Sequence, residues 1–311
     1  MAGLWVEKPA TIDPVDLTWA KNFLRVDEIT EDDDLITGLI GAATELAELY
    51  CRRCFIQKGF LLCLDSFPYF TDTMLSQMAY PPSYYSLPRY STTLWNYSQM
   101  IKTMRPPLIS VDRITYMDST KASFKDLVPQ PLPWYPQTEY ANGAQVADYN
   151  GNVQTLVSPD PSSEPTLESG IVPPEFSTIV TGITAEAAPA TAIWRNDGPL
   201  PQGEFGSFII DKISEPGRIF PGIQTPSTGA PVAGYWPSVL YVPNAVQIHY
   251  TAGYGTTLQA VPHGVKAAIL MIVSNLYENR VPTKDDEEQI PKTARSLLWP
   301  YRVIDFAQTR G

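Results

Sequence analysis

Few residues in this 311-residue chain have the types and spacing that chemistry needs. Cys51-Arg-Arg-Cys54, followed by Cys63, has the two-residue gap of a zinc knuckle, but a closed site needs four ligands and the fourth would have to come from afar. Cys51 and Cys54 also straddle a predicted helix end, where buried, reduced thiols are the default. Neither of the two histidines sits in a triad or metal motif: His249 reads as an outward residue of a strand, and His263 as a cap or solvated side chain at a helix start. Asp285-Asp-Glu-Glu288 could hold a divalent ion, yet an acidic run after a helix reads as a solvated loop. Gly253-x-Gly255 lacks the flanking glycines and following lysine of a phosphate-binding loop. The expectation is a protein with no catalytic residue, cofactor or metal, and so not an enzyme.

The elements around these residues are more informative. Val246, Ile248 and Tyr250 alternate with Gln247 and His249 as a half-buried strand does, and Gly253 and Gly255 supply the positive φ angles that end it. Pro262 suits a first helical turn, and Val265, Ile269, Ile272 and Leu276 then recur at helical spacing. Ala268, Leu270, Val273 and Tyr277 widen that face until it reads as a core helix. At the other end of the chain, Asp16 or Asp13 can cap a helix running to Leu24. Thr30, with Asp33 three residues on, predicts a capping box for a second helix, whose acidic first turn (Glu31, Asp32, Asp33, Asp34) complements the helix dipole. Leu35, Leu39, Ala42, Ala43, Leu46 and Tyr50 form its stripe, flanked by Ile36, Ile40 and Ala47. So broad a stripe calls for two partners, the C-terminal helix and a neighbouring subunit. Leu17, Phe23, Leu24, Leu35, Leu39, Ile40 and Tyr50 are assigned to the subunit contact.

The middle of the chain has another texture. Eighteen of the 30 prolines lie between Pro129 and Pro243, and residues 127–207 hold nine acids against one base, Arg195. Proline removes donors and clashes with the preceding turn, so long helices are excluded there. Short strands are predicted at 57–64, 114–116, 177–180, 205–211, 239–242 and 245–250, with turns at Asn150-Gly151, Asp197-Gly198 and Pro216-Gly217. Residues 69–97, rich in Tyr, Ser, Pro and Met, read as a long loop or arm. The fold class is therefore α+β: a small helical bundle made from the two ends of the chain (1–56 and 251–289), a β-rich insertion with extended loops (57–250), and a C-terminal segment (290–311).

Composition narrows the function. The formal charge of −11 argues against wrapping duplex DNA, which needs a basic surface. The longest apolar run, 267–273, is far too short to span a bilayer, and the N-terminus lacks a signal-peptide pattern, so a soluble protein made in the cytoplasm is expected.

Several motifs, in order and spacing, resemble the head-tail connector (adaptor, head completion) proteins of tailed bacteriophages. They are Val15-Asp-Leu-Thr-Trp-Ala-Lys-Asn-Phe-Leu-Arg-Val26, the acidic helix start, Leu49-Tyr50 with Arg53, Pro107-Leu-Ile-Ser-Val111, Ala252-Gly-Tyr-Gly255, Val261-Pro262, Tyr277-Glu-Asn-Arg280, and Leu297-Leu298 with Pro300-Tyr-Arg302. They cover roughly the first 65 residues, a block around 105–118 and the last 65; residues 119–235 carry no such motif. The resemblance implies a structural virion protein at the head-tail junction. It would form a dodecameric ring under the portal, seal the DNA-filled head, let genomic DNA pass without sequence-specific binding, and receive the tail or the next connector. It also implies docking to the portal through the C-terminal end, for which Tyr301, Arg302, Ile304 and Phe306 are the expected anchors. A different class, a β-rich carbohydrate-binding or hydrolytic tail-associated module, is suggested by seven tryptophans and 17 tyrosines.

Overall fold

The structure, a computed structural model, describes residues 3–68, 99–148, 150–157, 166–187, 192–200, 207–224, 232–279 and 290–303. The 69–97 arm, Asp285 to Glu288, Arg280, Ile304 and Phe306 lie outside the described residues. The protein is α+β.

A five-stranded antiparallel sheet is its centre, in the order Gly3–Lys8, Lys58–Leu64, Val246–Ala252, Leu108–Met117, Phe124–Asp126. The Val246–Ala252 strand alternates buried and half-buried residues along its length, so its period-two pattern does select an inner face. Ile248 and Tyr250 pack there with Phe60, Leu62, Ile114 and Tyr116, while Phe67 stacks on Trp236 at 4.6 Å between ring centroids. The sheet ends where Gly253 takes φ +131° and lies so close to Gln57 that a Cβ would stand 2.8 Å from its backbone. The first strand, Gly3–Lys8, was not expected; its Leu4 and Val6 alternate with Trp5 and Glu7, a period-two signal too short to stand out.

Four helices share a second core. They are Leu17–Leu24, Asp33–Cys51, His263–Glu278 and Lys292–Leu298. Ile36, Ile40, Ala43, Ala47 and Cys51 from the second meet Val265, Ile269, Ile272 and Val273 from the third and Ala294 and Leu298 from the fourth. The chain ends thus fold together across some two hundred intervening residues. Among the described residues, no helix is long and apolar enough to cross a membrane.

The insertion adds two four-stranded sheets. One is antiparallel, in the order Ile183–Ala185, Ile193–Pro199, Asn152–Leu156, Gln145–Ala147; the other runs Ile101–Lys102, Arg218–Pro221, Ser207–Asp211, Val128–Gln130, with its last pair parallel. Several expectations fail here. Residues 177–180 are irregular, and Val239 makes a single bridge to Asp118 rather than starting a strand. Asp197-Gly198 is a bulge within the Ile193–Pro199 strand, where Gly198 takes φ +108° and the register shifts. Leu127 and Phe208 belong to the same core as the inner face of the central sheet.

Candidate assembly surface

The two N-terminal helices are positioned by local chemistry. Asp16 caps the first, its Oδ1 accepting from the Trp19 N–H at 2.7 Å, and Arg25 closes it in the left-handed conformation, φ 60°. The second does not use the expected capping box. Its N-cap is Asp32, which makes no side-chain bond to the helix, and Thr30 contributes only its carbonyl, to the Asp33 N–H. Asp32 instead accepts from the Tyr277 hydroxyl at 2.5 Å, and Asp33 pairs with Lys21 at 2.7 Å. The acids at this helix start therefore bind neighbouring helices as well as favouring their own dipole.

The stripe of the second helix is rotated relative to expectation. Ile36, Ile40 and Ala47, read as its flank, form the buried line together with Ala43 of the stripe, while Leu35 and Ala42 are exposed. The cause is the angle of approach of the His263–Glu278 helix, which periodicity cannot fix when apolar residues cover more than half the helix. This corrects one assigned contact: Ile40, 2% exposed, is filled by its own chain and offers nothing to a neighbour. Phe23 and Leu35 are exposed; Leu17, Leu24, Leu39 and Tyr50 are half-buried against the helical core. Trp19 and Leu49 join the exposed apolar residues of these helices, and the Lys266 ammonium sits 5.7 Å from the Trp19 ring.

The C-terminal end of the second helix meets the C-terminal segment in a polar joint. The Arg53 guanidinium donates to the Tyr301 carbonyl and pairs with Glu215, which lies in the loop between Ser207–Asp211 and Arg218–Pro221. Val303 N–H donates to the Cys51 carbonyl at 2.9 Å, and the Arg302 guanidinium stands 5.4 Å from the Tyr50 ring and 5.6 Å from the Trp299 ring. Tyr301 lies against Gly264, where an added Cβ would come 3.3 Å from its hydroxyl. Residues 301–303 therefore turn back onto the helices instead of extending away after Pro300. Tyr301 and Arg302 are consequently engaged by their own chain.

Beside this joint, Glu48 is buried and fully used. Its carboxylate accepts from the Phe55 N–H at 2.9 Å and the Lys58 ammonium at 2.6 Å, while its carbonyl accepts from Arg105 at 3.0 Å. These bonds fasten the helix end to the first turn of the central sheet. Arg53 stood among the motif residues, but its partner Glu215 was not foreseen, because nothing in sequence links positions 162 residues apart.

Burial pushes the Cys51 thiol up to about 11 and the Cys54 thiol up to about 12, while Cys63 lies apart on the sheet. No group of three or more His, Cys, Asp or Glu suited to a metal occurs among the described residues. His249 Nδ1 lies 2.9 Å from Glu7, and His263 is exposed. Trp194 and Trp236 are buried, and their indole N–H groups, with that of Trp134, are bonded to Glu186 or the Gln99 carbonyl.

No protein-family model and no curated protein matches the chain. Solved structures similar to it include three from one kind of particle. One is described as the neck of an empty GTA particle computed with C6 symmetry, at 14% identity and TM-score 0.44 over all of both chains. Another is the virion of a native gene transfer agent (GTA) particle, at 13% identity and TM-score 0.43, covering 97% of this chain and 96% of that one. The third is the neck of a native GTA particle computed with C12 symmetry, at 12% identity and TM-score 0.43, covering 99% of this chain and 100% of the other. Likeness at this level says nothing of what this chain binds.

Proposed function

We propose that this chain is a structural virion protein rather than an enzyme: a head-tail connector that assembles as a dodecameric ring under the portal, seals the DNA-filled head and offers a platform to the tail. One observation carries the reading. The connector-like motifs, scattered over both ends of the sequence, meet in the helical core and at the end of the central sheet, and their residues occupy the joints: Arg53 on Tyr301, Gly253 against Gln57, Tyr301 on Gly264. A ring needs a lateral surface. Trp19, Phe23, Leu35 and Leu49 provide large exposed apolar side chains on two adjacent helices, the composition of an interface centre.

In this reading the function is mechanical and electrostatic. A ring of twelve copies would carry a formal charge of about −130, which repels the phosphate backbone and lets DNA pass without adhering. Docking to the portal falls to the residues after Val303, Ile304 and Phe306, because Tyr301 and Arg302 are engaged by their own helices. The carbohydrate-binding alternative finds less support in the insertion, where Trp134, Trp194 and Trp236 have their N–H groups bonded within the protein. The test is co-sedimentation of the purified chain with portal-bearing heads, full length against a chain ending at Val303. Binding by the full chain alone supports the assignment; equal binding by the two removes the docking role from Ile304 and Phe306.

A further inference from the structure

The outer margin of the antiparallel four-stranded sheet in the insertion is apolar and faces solvent. Ile171, Val172, Ile179, Val180 and Ile183 are all exposed, Val172 and Ile179 at 74%. Two bonds hold the chain that carries four of them to the outermost strand, Ile183–Ala185: Gly170 N–H donates to Glu186, and Ser177 N–H donates to Thr184 Oγ1 at 2.7 Å. A three-residue strand is about 10 Å long, so these bonds bring that chain to the margin where Ile183 lies. Among the described residues that strand pairs with Ile193–Pro199 on one side only, which leaves a strand edge beside the patch.

The charge beside it is specific. Glu168, three residues before Ile171, stands directly opposite Glu139 in the antiparallel ribbon Thr166–Glu168 with Glu139–Ala141. Both are exposed, and neither meets a cation among the described residues. Like charges directly opposite each other destabilise a ribbon, and a cation brought by a partner relieves the repulsion. Glu175, also exposed, adds a third carboxylate, and Arg195, the lone base of residues 127–207, is already paired with Asp197 at 2.8 Å.

We propose that this margin docks an extended segment of a neighbouring particle protein, aliphatic at its centre and flanked by lysine or arginine, laid along the Ile183–Ala185 edge with its cations at Glu139 and Glu168. The proposal deepens the connector reading by giving the insertion a partner chemistry. A second copy of this chain fits poorly, since its net charge is −11.

The test titrates the full-length protein with a labelled peptide of alternating valine and threonine flanked by lysines, beside the same core flanked by glutamates, followed by fluorescence anisotropy. Binding is expected for the lysine-flanked peptide alone. It should weaken on the order of tenfold in Ile179→Ser/Ile183→Ser and again in Glu139→Gln/Glu168→Gln, whose unfolding temperature should rise as the repulsion is removed. Equal binding of the two peptides, or affinity unchanged in both variants, overturns the proposal. So does self-association of the chain that the serine variant abolishes, which would make a second copy the occupant. Ring mass, measured on the same samples, separates the claims: a ring without peptide binding removes this surface alone, and peptide binding without a ring removes the connector reading alone.

Discussion

Ile40 and Leu35 sit little more than a helical turn apart on the same helix, and the structure gives them opposite roles. Ile40 is 2% exposed among Val265, Ile269 and the rest of the shared helical core, whereas Leu35 is 38% exposed. Ile40→Ala removes buried methyl and methylene groups and leaves a cavity that packed helices only partly close, a cost of about 2–5 kcal/mol. For a chain of 311 residues, at about 2.1 cal/mol/K of unfolding entropy per residue, each kcal/mol lowers Tm by roughly 1.5 °C, so a fall of about 3–8 °C is expected. Leu35→Ala, away from the core, should change stability by no more than about 0.5 kcal/mol. The assay is thermal melting followed by helical circular dichroism at a concentration where the protein is monomeric. Comparable losses for the two variants would show that the helix is rotated from the position described. Ring assembly should show the reverse order, with Leu35→Asp and Phe23→Asp leaving a folded monomer that no longer assembles.

Two glycines make a second contrast. Gly253→Ala forces a side chain onto the Gln57 backbone at φ +131° and should cost at least about 2 kcal/mol, while Gly38→Ala, on a helix with nothing within 4 Å of the added Cβ, should stabilise by about 0.5–1 kcal/mol; urea denaturation reads both. Thiol labelling at pH 8 should be slow at Cys51 and Cys54, whose thiols are raised to about 11 and about 12 by burial, and all three cysteines should react once the chain is unfolded; rapid labelling of Cys54 in the native protein would contradict its burial. Arg53→Ala should destabilise more than Glu215→Ala, because it removes both the pair with Glu215 and the bond to the Tyr301 carbonyl, where Glu215→Ala removes the pair alone. A larger loss from Glu215→Ala would place the strength of the joint in the insertion instead.

What the sequence showed and what it hid divide along physical lines. The Val246–Ala252 strand, the core helix and both N-terminal helices were legible because each repeats its apolar residues at one period over several turns or alternations. The rotation of the acidic helix was not, since Leu35, Ile36, Leu39 and Ile40 satisfy the period equally well and only the approach of its partner decides between them. Short strands such as Gln145–Ala147 and Ile183–Ala185 hold three residues each, too few to show alternation, and their stability comes from pairings distant in sequence. The Glu215 contact to Arg53 and the return of residues 301–303 to the helices are tertiary facts of the same sort. Pro300 does end regular helix, but the Cys51 carbonyl, left free by the helix end, then captures the Val303 N–H.

The central claim is that the shared helical core of the two chain ends is the body of a ring subunit. Native mass spectrometry of the full-length protein, alone and eluted from portal-bearing heads, tests it most directly. A closed dodecamer is expected on the heads, lost in Phe23→Asp with the monomer still folded. A chain that stays monomeric and leaves those heads unbound at every concentration would contradict it.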